Sequence, residues 1–291
     1  TGPKMSRLFV DNLTVLDFSY FHSTRGVVGE SWIVDVELVG DLNDEGMVFD
    51  FGHVKKLLKA ALDSGMDHTL VLPAKLPGLT LQETDNGERI QAEFRNARGE
   101  RRFYYESPRE AVYLVETDDI SIDSVRPTLE AHLNTLVPDN VSQVVLRLRS
   151  ELIDGPFYHY SHGLKKHQGD CQRICHGHRS RIEIFRNGQR DTEVERDWAE
   201  RFQDIYLVTE EDIVHSQPVE SDLVHIGYDA EQGRFDVWLP EASTEILKTD
   251  TTVELIAAHL ANSLAAEYPR DRWRVRAFEG VMKGAISESG S

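Results

Sequence analysis

The chain has 291 residues, 40% hydrophobic and 28% charged, the make-up of a soluble globular protein with one large domain or two ordinary ones. A formal net charge of −18 excludes nucleic acid and anionic membrane as general partners, because the phosphates would be repelled; an anionic small molecule would need a local basic pocket. No run approaches the ~18 apolar residues of a membrane span, no signal-like apolar segment opens the chain, and two closely spaced cysteines make no disulfide framework, so a reducing, cytoplasmic setting is expected.

TGPK before Met5 reads as an expression scar and is set aside. FSYFHSTRGVVGESWIVDVELV (18–39) opens with an aromatic residue four places before His22. After a linking loop it becomes an alternating strand carrying Trp32, Val34, Val36 and Leu38, a period that marks one buried face. MVFDFGHVKKLLKAALDSGMDHTLVLP (47–73) sets Asp50-Phe51 before an amphipathic helix with Val54, Leu57, Leu58, Ala61 and Leu62 on its apolar side, and carries Asp67-His68. RPTLEAHLNTL (126–136) opens a helix from a Thr-containing cap with a Glu in the first turn, and VVLRLRSE (144–151) is a strand ending in Glu151.

The same landmarks then return. YHYSHGLKKHQGDCQRICHGHRSRIEIFR (158–186) again sets an aromatic residue four places before a histidine, His162, and runs into a strand with Ile182 and Ile184. Asp197-Trp198, a second capped helix at DTTVELIAAHLANSL (250–264) and the strand WRVRAFE (273–279) ending in Glu279 follow in order. Strand–strand–helix–strand–strand–helix–strand, stated twice, predicts two homologous α+β modules, 5–152 and 153–286.

Both cysteines and two histidines lie in CQRICHGHRS (171–180). On a strand, residues i and i+2 project from one face roughly 6–7 Å apart, so His176 and His178 can converge on one ion. They share the parity of Ile182 and Ile184, and His162 can add a third nitrogen. Three neutral imidazoles with an open fourth position is the arrangement of a catalytic Zn2+. Cys171, in the loop before the strand and near Lys165, Lys166 and His167, is a candidate base or nucleophile with a lowered pKa. The competing reading is a structural zinc cage of Cys171, Cys175, His176 and His178, awkward because Cys175 and His176 face opposite sides of a strand. Plain core histidines would each need a partner.

These motifs resemble the 6-pyruvoyl-tetrahydropterin synthase and 6-carboxytetrahydropterin synthase family: an FSxxH segment, a cysteine shortly before HGH, GMVFDF, an Asp-His pair, a P-T-x-E helix start and a terminal strand Glu. The resemblance covers nearly the whole chain as two tandem units. It implies two tunnelling-fold (T-fold) modules, each an antiparallel four-stranded sheet with two helices packed on one face. The implied activity is zinc-dependent conversion of 7,8-dihydroneopterin triphosphate, with three two-module chains supplying the six modules of a homo-oligomer. In the first copy Val28-Gly29-Glu30 stands where His-Gly-His would be, so its metal site should be lost; in the second, Asp204-Ile205 stands where Asp-His would be. The resemblance therefore implies one composite site type, with metal ligands His162, His176 and His178 and the catalytic Cys171 from a second module and Asp67-His68 from a first. It also implies that Glu279 anchors the pterin ring, that Thr251 and Thr252 contact it, and that Lys165 and Lys166 meet the triphosphate; for Glu151, ligand anchor and relic stay open. The cysteine spacing does not choose between the carboxy-forming carbon–carbon lyase and the pyruvoyl-forming triphosphate elimination; the carboxy-forming reaction is the expectation taken. A T-fold that binds a pterin or purine without turnover is the alternative from another class.

Overall fold

The computed structural model describes residues 5–215, 220 and 222–290, so TGPK lies outside the described residues. The first module's sheet runs β7 (Val112–Val115), β3 (Leu70–Pro73), β1 (Ser6–His22), β2 (Gly26–Gly40), β8 (Val141–Ser150). The second runs β15 (Thr244–Leu247), β12 (Ile205–Thr209), β9 (Phe157–His162), β10 (His176–Arg186), β16 (Trp273–Phe278), β17 (Gly284–Ser289), with β11 (Gln189–Arg190) beside β10. Neither is a four-stranded antiparallel sheet. β1, β2 and β8 are antiparallel, as are β9, β10, β16 and β17, but β3 and β7, like β12 and β15, join in parallel.

Two helices cover one face of each sheet. In the first module these are α1 (51–64) and α2 (Ile122–Asn134); in the second they are α3 (Thr192–Arg201) and α4 (Val253–Glu267). Asp50 caps α1, its Oδ1 accepting from Gly52 N at 2.8 Å, which is the expected capping role. Val54, Leu58 and Leu62 of α1 and Val125, Leu129 and Leu133 of α2 are buried with Leu16, Phe18, Trp32, Val34, Val36 and Leu38 in one core. Burying each such side chain contributes about 1.5–3 kcal/mol. The second module repeats this with Trp198, Ile256, Leu260 and Leu264 against Tyr158, Tyr160, Ile182 and Ile184. One cap differs from the sequence reading. Helix α2 starts at Ile122 behind a Ser121–Ser124 capping box, so Thr128 lies inside it, whereas Thr252 does cap α4.

A third sheet was not legible from the repeat. Its order is β13 (Leu223–Ala230), β14 (Gly233–Pro240), β6 (Arg101–Pro108), β5 (Arg89–Arg95), β4 (Leu79–Thr84). It takes strands from both modules, joined where β14 pairs antiparallel with β6. Beneath it, Phe94, Phe103, Tyr105, Phe235 and Val237 form a core that also holds Phe21, Ile174, Cys175 and Tyr206, so the modules share buried apolar surface.

The two main sheets also meet directly. A Cβ built on Gly177 would lie 2.6 Å from Gly29 Cα, and Ser19 Oγ lies 2.6 Å from Ser161 Oγ. Strand β2 is therefore buried on more than one face, unlike a simple alternating strand: Ser31 Oγ accepts from Arg179 N at 3.0 Å, and Asp35 is paired with Arg149 at 2.9 Å. No helix among the described residues is long and apolar enough to cross a membrane.

Candidate metal centre and active site

The β9–β10 register sets His162 directly opposite His176 and Tyr160 opposite His178. The three imidazoles are 0%, 1% and 2% exposed, and each offers a ligand nitrogen within 4.8 Å of the others. Every Nδ1 already has an acceptor: His162 donates to Thr251 O at 2.9 Å, His176 to Arg173 O at 2.9 Å and His178 to Asp17 Oδ1 at 3.0 Å. Those acceptors fix the proton on Nδ1 and leave Nε2 as a lone pair. His162 Nε2 and His178 Nε2 are buried with no hydrogen-bond partner, an arrangement that costs stability unless something fills the space between them. Burial, reinforced by the neighbouring imidazoles, pushes His162 and His176 well below the ordinary histidine pKa, so both are neutral donors. Buried Nε2 lone pairs on a shared centre fit a divalent metal of the zinc type.

Asp67 and His68 reach this cluster from the first module of the same chain. The His68 and His176 ring centroids are 5.0 Å apart, and His68, Cys171 and His176 present ligand atoms within 4.8 Å of one another. His68 Nδ1 lies 2.7 Å from Asp67 Oδ2, and Asp67 Oδ1 accepts from Asp17 N at 2.8 Å, so the couple is oriented from behind. Burial alone would lower the His68 pKa; hydrogen bonds to Asp67 and Cys171, with their charges, outweigh it and raise it to about 10. Cys171 sits in a short turn, Gly169–Gln172, within the loop 163–175 that joins the two histidine-bearing strands.

The other expected site residues divide. Glu279 follows the last residue of β16, and its Oε1 lies 3.8 Å from His178 Nε2, at the edge of the cluster. Thr251 is fully buried and orients His162 through its carbonyl and, at 3.1 Å, its hydroxyl. Thr252 Oγ1 accepts from Leu255 N at 3.3 Å as the α4 cap. Lys165 is held by Asp212 at 2.6 Å and Glu211 at 3.0 Å, and Lys166 by Asp250 at 3.1 Å, so both ammonium groups already have carboxylates. Glu151 Oε1 is paired with Arg181 at 3.2 Å, an internal ion pair. Cys175 belongs to neither ligand group; it is buried among the apolar residues below the third sheet, and burial raises its thiol pKa, which removes the two-cysteine cage. Asp197 lies within α3, whose cap is Asp191.

The sheet registers define the equivalent site in the opposite sense. Ser19 pairs with Leu70 and Gly29, and Ser161 with Tyr206 and Gly177, so these two serines correspond. It follows that Tyr20, Val28 and Glu30 occupy the places of His162, His176 and His178. Val28-Gly29-Glu30 thus replaces His-Gly-His as expected, but Tyr20, not His22, replaces His162. His22 instead closes the β1–β2 turn, accepting from Arg25 N at 3.1 Å. Asp204, in the same left-handed conformation as His68 (φ 55 for both), takes the place of the imidazole and not of Asp67. Arg25 binds Asp204 at 2.7 Å and Tyr20 Oη at 3.0 Å, so a guanidinium fills the counterpart of the metal-type cluster. The loop that carries Cys171 in the second module has shrunk to residues 23–25 in the first.

Two repeated α+β units that pool three imidazoles, a thiol and an Asp–His couple define, among the described residues, a tandem-module protein with a composite, metal-type cluster. The chain belongs to the family described as 6-pyruvoyl tetrahydropterin synthase, whose model matches residues 14–136 and again 156–288. A candidate 6-carboxy-5,6,7,8-tetrahydropterin synthase of Pyrococcus horikoshii is 34% identical over 62 residues, 21% of this chain and 36% of that protein. Its Pyrococcus abyssi counterpart is 32% identical over 65 residues, 22% and 38%. The aligned stretch thus spans little more than a third of these relatives. The Plasmodium vivax 6-pyruvoyltetrahydropterin synthase structure aligns at 17% identity and a TM-score of 0.36, over 50% of this chain and 98% of that one. The Plasmodium falciparum structure aligns at 15% and 0.37, with the same shares.

Proposed function

We propose that the chain is a zinc-dependent lyase that converts 7,8-dihydroneopterin triphosphate to 6-carboxytetrahydropterin. The observation that carries this reading is the cis-assembled cluster: buried His162 and His178 Nε2 atoms without partners, beside Cys171 and the Asp67–His68 couple. The names of the Pyrococcus relatives support the carboxy-forming outcome. The family description supports the second reading, triphosphate elimination to 6-pyruvoyltetrahydropterin at the same residues.

His162, His176 and His178 would hold the zinc, which when bound supplies Lewis acidity toward the hydroxyls of the substrate side chain. Cys171 thiolate removes a proton from that side chain. His68, charged at neutral pH and held by Asp67, donates the proton the reaction needs elsewhere. Glu279 accepts the N–H donors of the pterin ring in two parallel charge-assisted bonds and sets its orientation. Lys165 and Lys166, engaged with carboxylates, are left out of the phosphate site in this reading. Three chains would complete the six-module assembly of the family.

The reading is tested by metal analysis together with mass identification of the product formed from 7,8-dihydroneopterin triphosphate. About one zinc per chain and a 6-carboxy product are expected. Two zincs per chain would contradict the loss of the first site, a pyruvoyl product would move the assignment to the second reading, and zinc binding without any product would leave a binding protein.

A further inference from the structure

Asp17 carries no motif, yet four contacts run through it. It is 5% exposed on β1, in the first module. Its Oδ1 accepts from His178 Nδ1 at 3.0 Å and from Ser31 Oγ at 2.6 Å. Its backbone N–H donates to Asp67 Oδ1 at 2.8 Å, and its carbonyl accepts from His68 N at 2.7 Å. One residue of the first module thus touches a ligand of the second module's cluster and both members of the Asp–His couple.

We propose that Asp17 is a positioning residue that acts across the module boundary, its carboxylate holding His178 in the metal-binding tautomer while its peptide groups set the Asp67–His68 couple. This rests on the zinc reading above. The other two candidate ligands lean on neutral backbone carbonyls; His178 alone has a charged group behind it. A carboxylate behind a ligating imidazole orients the ring and raises its basicity, and losing such a partner typically weakens metal binding 10–100-fold. The counterpart position is built differently. In the second copy His159 takes the place of Asp17, but its Nδ1 lies 2.7 Å from the Gly29 carbonyl oxygen and 3.9 Å from Glu30, the residue in the place of His178. The carboxylate–imidazole hydrogen bond is thus found at the histidine cluster and not at its counterpart.

The test uses the full chain with Asp17→Asn, which keeps the size and the acceptor but removes the charge. Zinc affinity is read by competition with a chromophoric chelator, and the ligand field by the absorption of the cobalt-substituted protein. Asp17→Asn should bind zinc 10–100-fold more weakly, with a shifted cobalt spectrum, while Ser31→Ala, which leaves the His178 contact in place, should stay within about threefold of wild type. A folded Asp17→Asn variant with wild-type affinity and spectrum would overturn the assignment, as would Ser31→Ala matching its loss. Should Asp17→Asn not fold, nitrogen NMR of the wild-type zinc protein decides: a protonated His178 Nδ1 supports the proposal, and a protonated Nε2 overturns it. A wild-type chain that takes up no zinc overturns both this assignment and the function on which it rests.

Discussion

Gly29→Ala adds one methyl group where the modules meet. Gly29 is not in the left-handed region, so alanine fits its backbone and would by itself gain up to about 1 kcal/mol from the unfolded state. The new Cβ would lie 1.9 Å from the Tyr160 carbonyl oxygen, 2.6 Å from its carbon and 2.8 Å from His178 N. All three are backbone atoms of the paired strands β9 and β10, which cannot swing aside as a side chain can. Restoring ordinary contact requires the sheets to part by more than 1 Å locally. Overpacking a core by a methylene or two costs about 1–3 kcal/mol, and a rigid obstruction belongs at the upper end, so a net loss of about 2–3 kcal/mol is expected. Urea denaturation should show a lower midpoint at an unchanged slope. Because Tyr160 and His178 belong to the histidine-bearing strands, the same shift should misalign His68 from Cys171, and misplacements of about 1 Å cost on the order of 10²-fold in rate. A Gly29→Ala protein with wild-type midpoint and turnover would refute the close approach on which the composite site depends.

Glu30 and Lys165 give two further predictions. Burial raises the Glu30 carboxyl to about 7, so its contribution to stability is full below about pH 4.5 and lost as pH rises through 7. Glu30→Gln should therefore stabilise the protein at pH 8 by up to about 3 kcal/mol and flatten this part of the pH–stability profile; parallel wild-type and variant profiles would contradict it. Lys165→Met strands Asp212, whose side chain is 6% exposed, and should cost about 1–3 kcal/mol while leaving KM for the proposed triphosphate substrate within threefold. A tenfold rise in KM would return Lys165 to the phosphate site.

The histidine cluster was legible because a strand has a period of two: His176 and His178 declare their common face through Ile182 and Ile184, and the antiparallel register then supplies His162. Complementary losses in the two copies pointed to the pooling of Asp67-His68 with Cys171, and the pair does meet the thiol within one chain. What stayed hidden depends on register and on inserted strands. The spacing of His22 resembles that of His162, but the pairing of Ser19 and Ser161 sets Tyr20 in the place of His162. The third sheet was present as alternation at Ile90, Ala92 and Phe94, with a turn at Asp85, Asn86 and Gly87, all at positive φ, but it falls outside the repeated landmarks. The ion pairs of Lys165 and Lys166 were hidden because their partners, Asp212 and Asp250, lie dozens of residues away. Asp17 gave no signal at all, since its role arises only where the two modules touch.

The central claim is that Asp67-His68 of the first module serves the site built on the second. It is tested most directly by His68→Ala, measured for zinc content and for turnover of 7,8-dihydroneopterin triphosphate in one preparation. The account predicts about one zinc per chain, as in the wild type, with turnover reduced about 10²-fold or more. Wild-type turnover in that variant would contradict it.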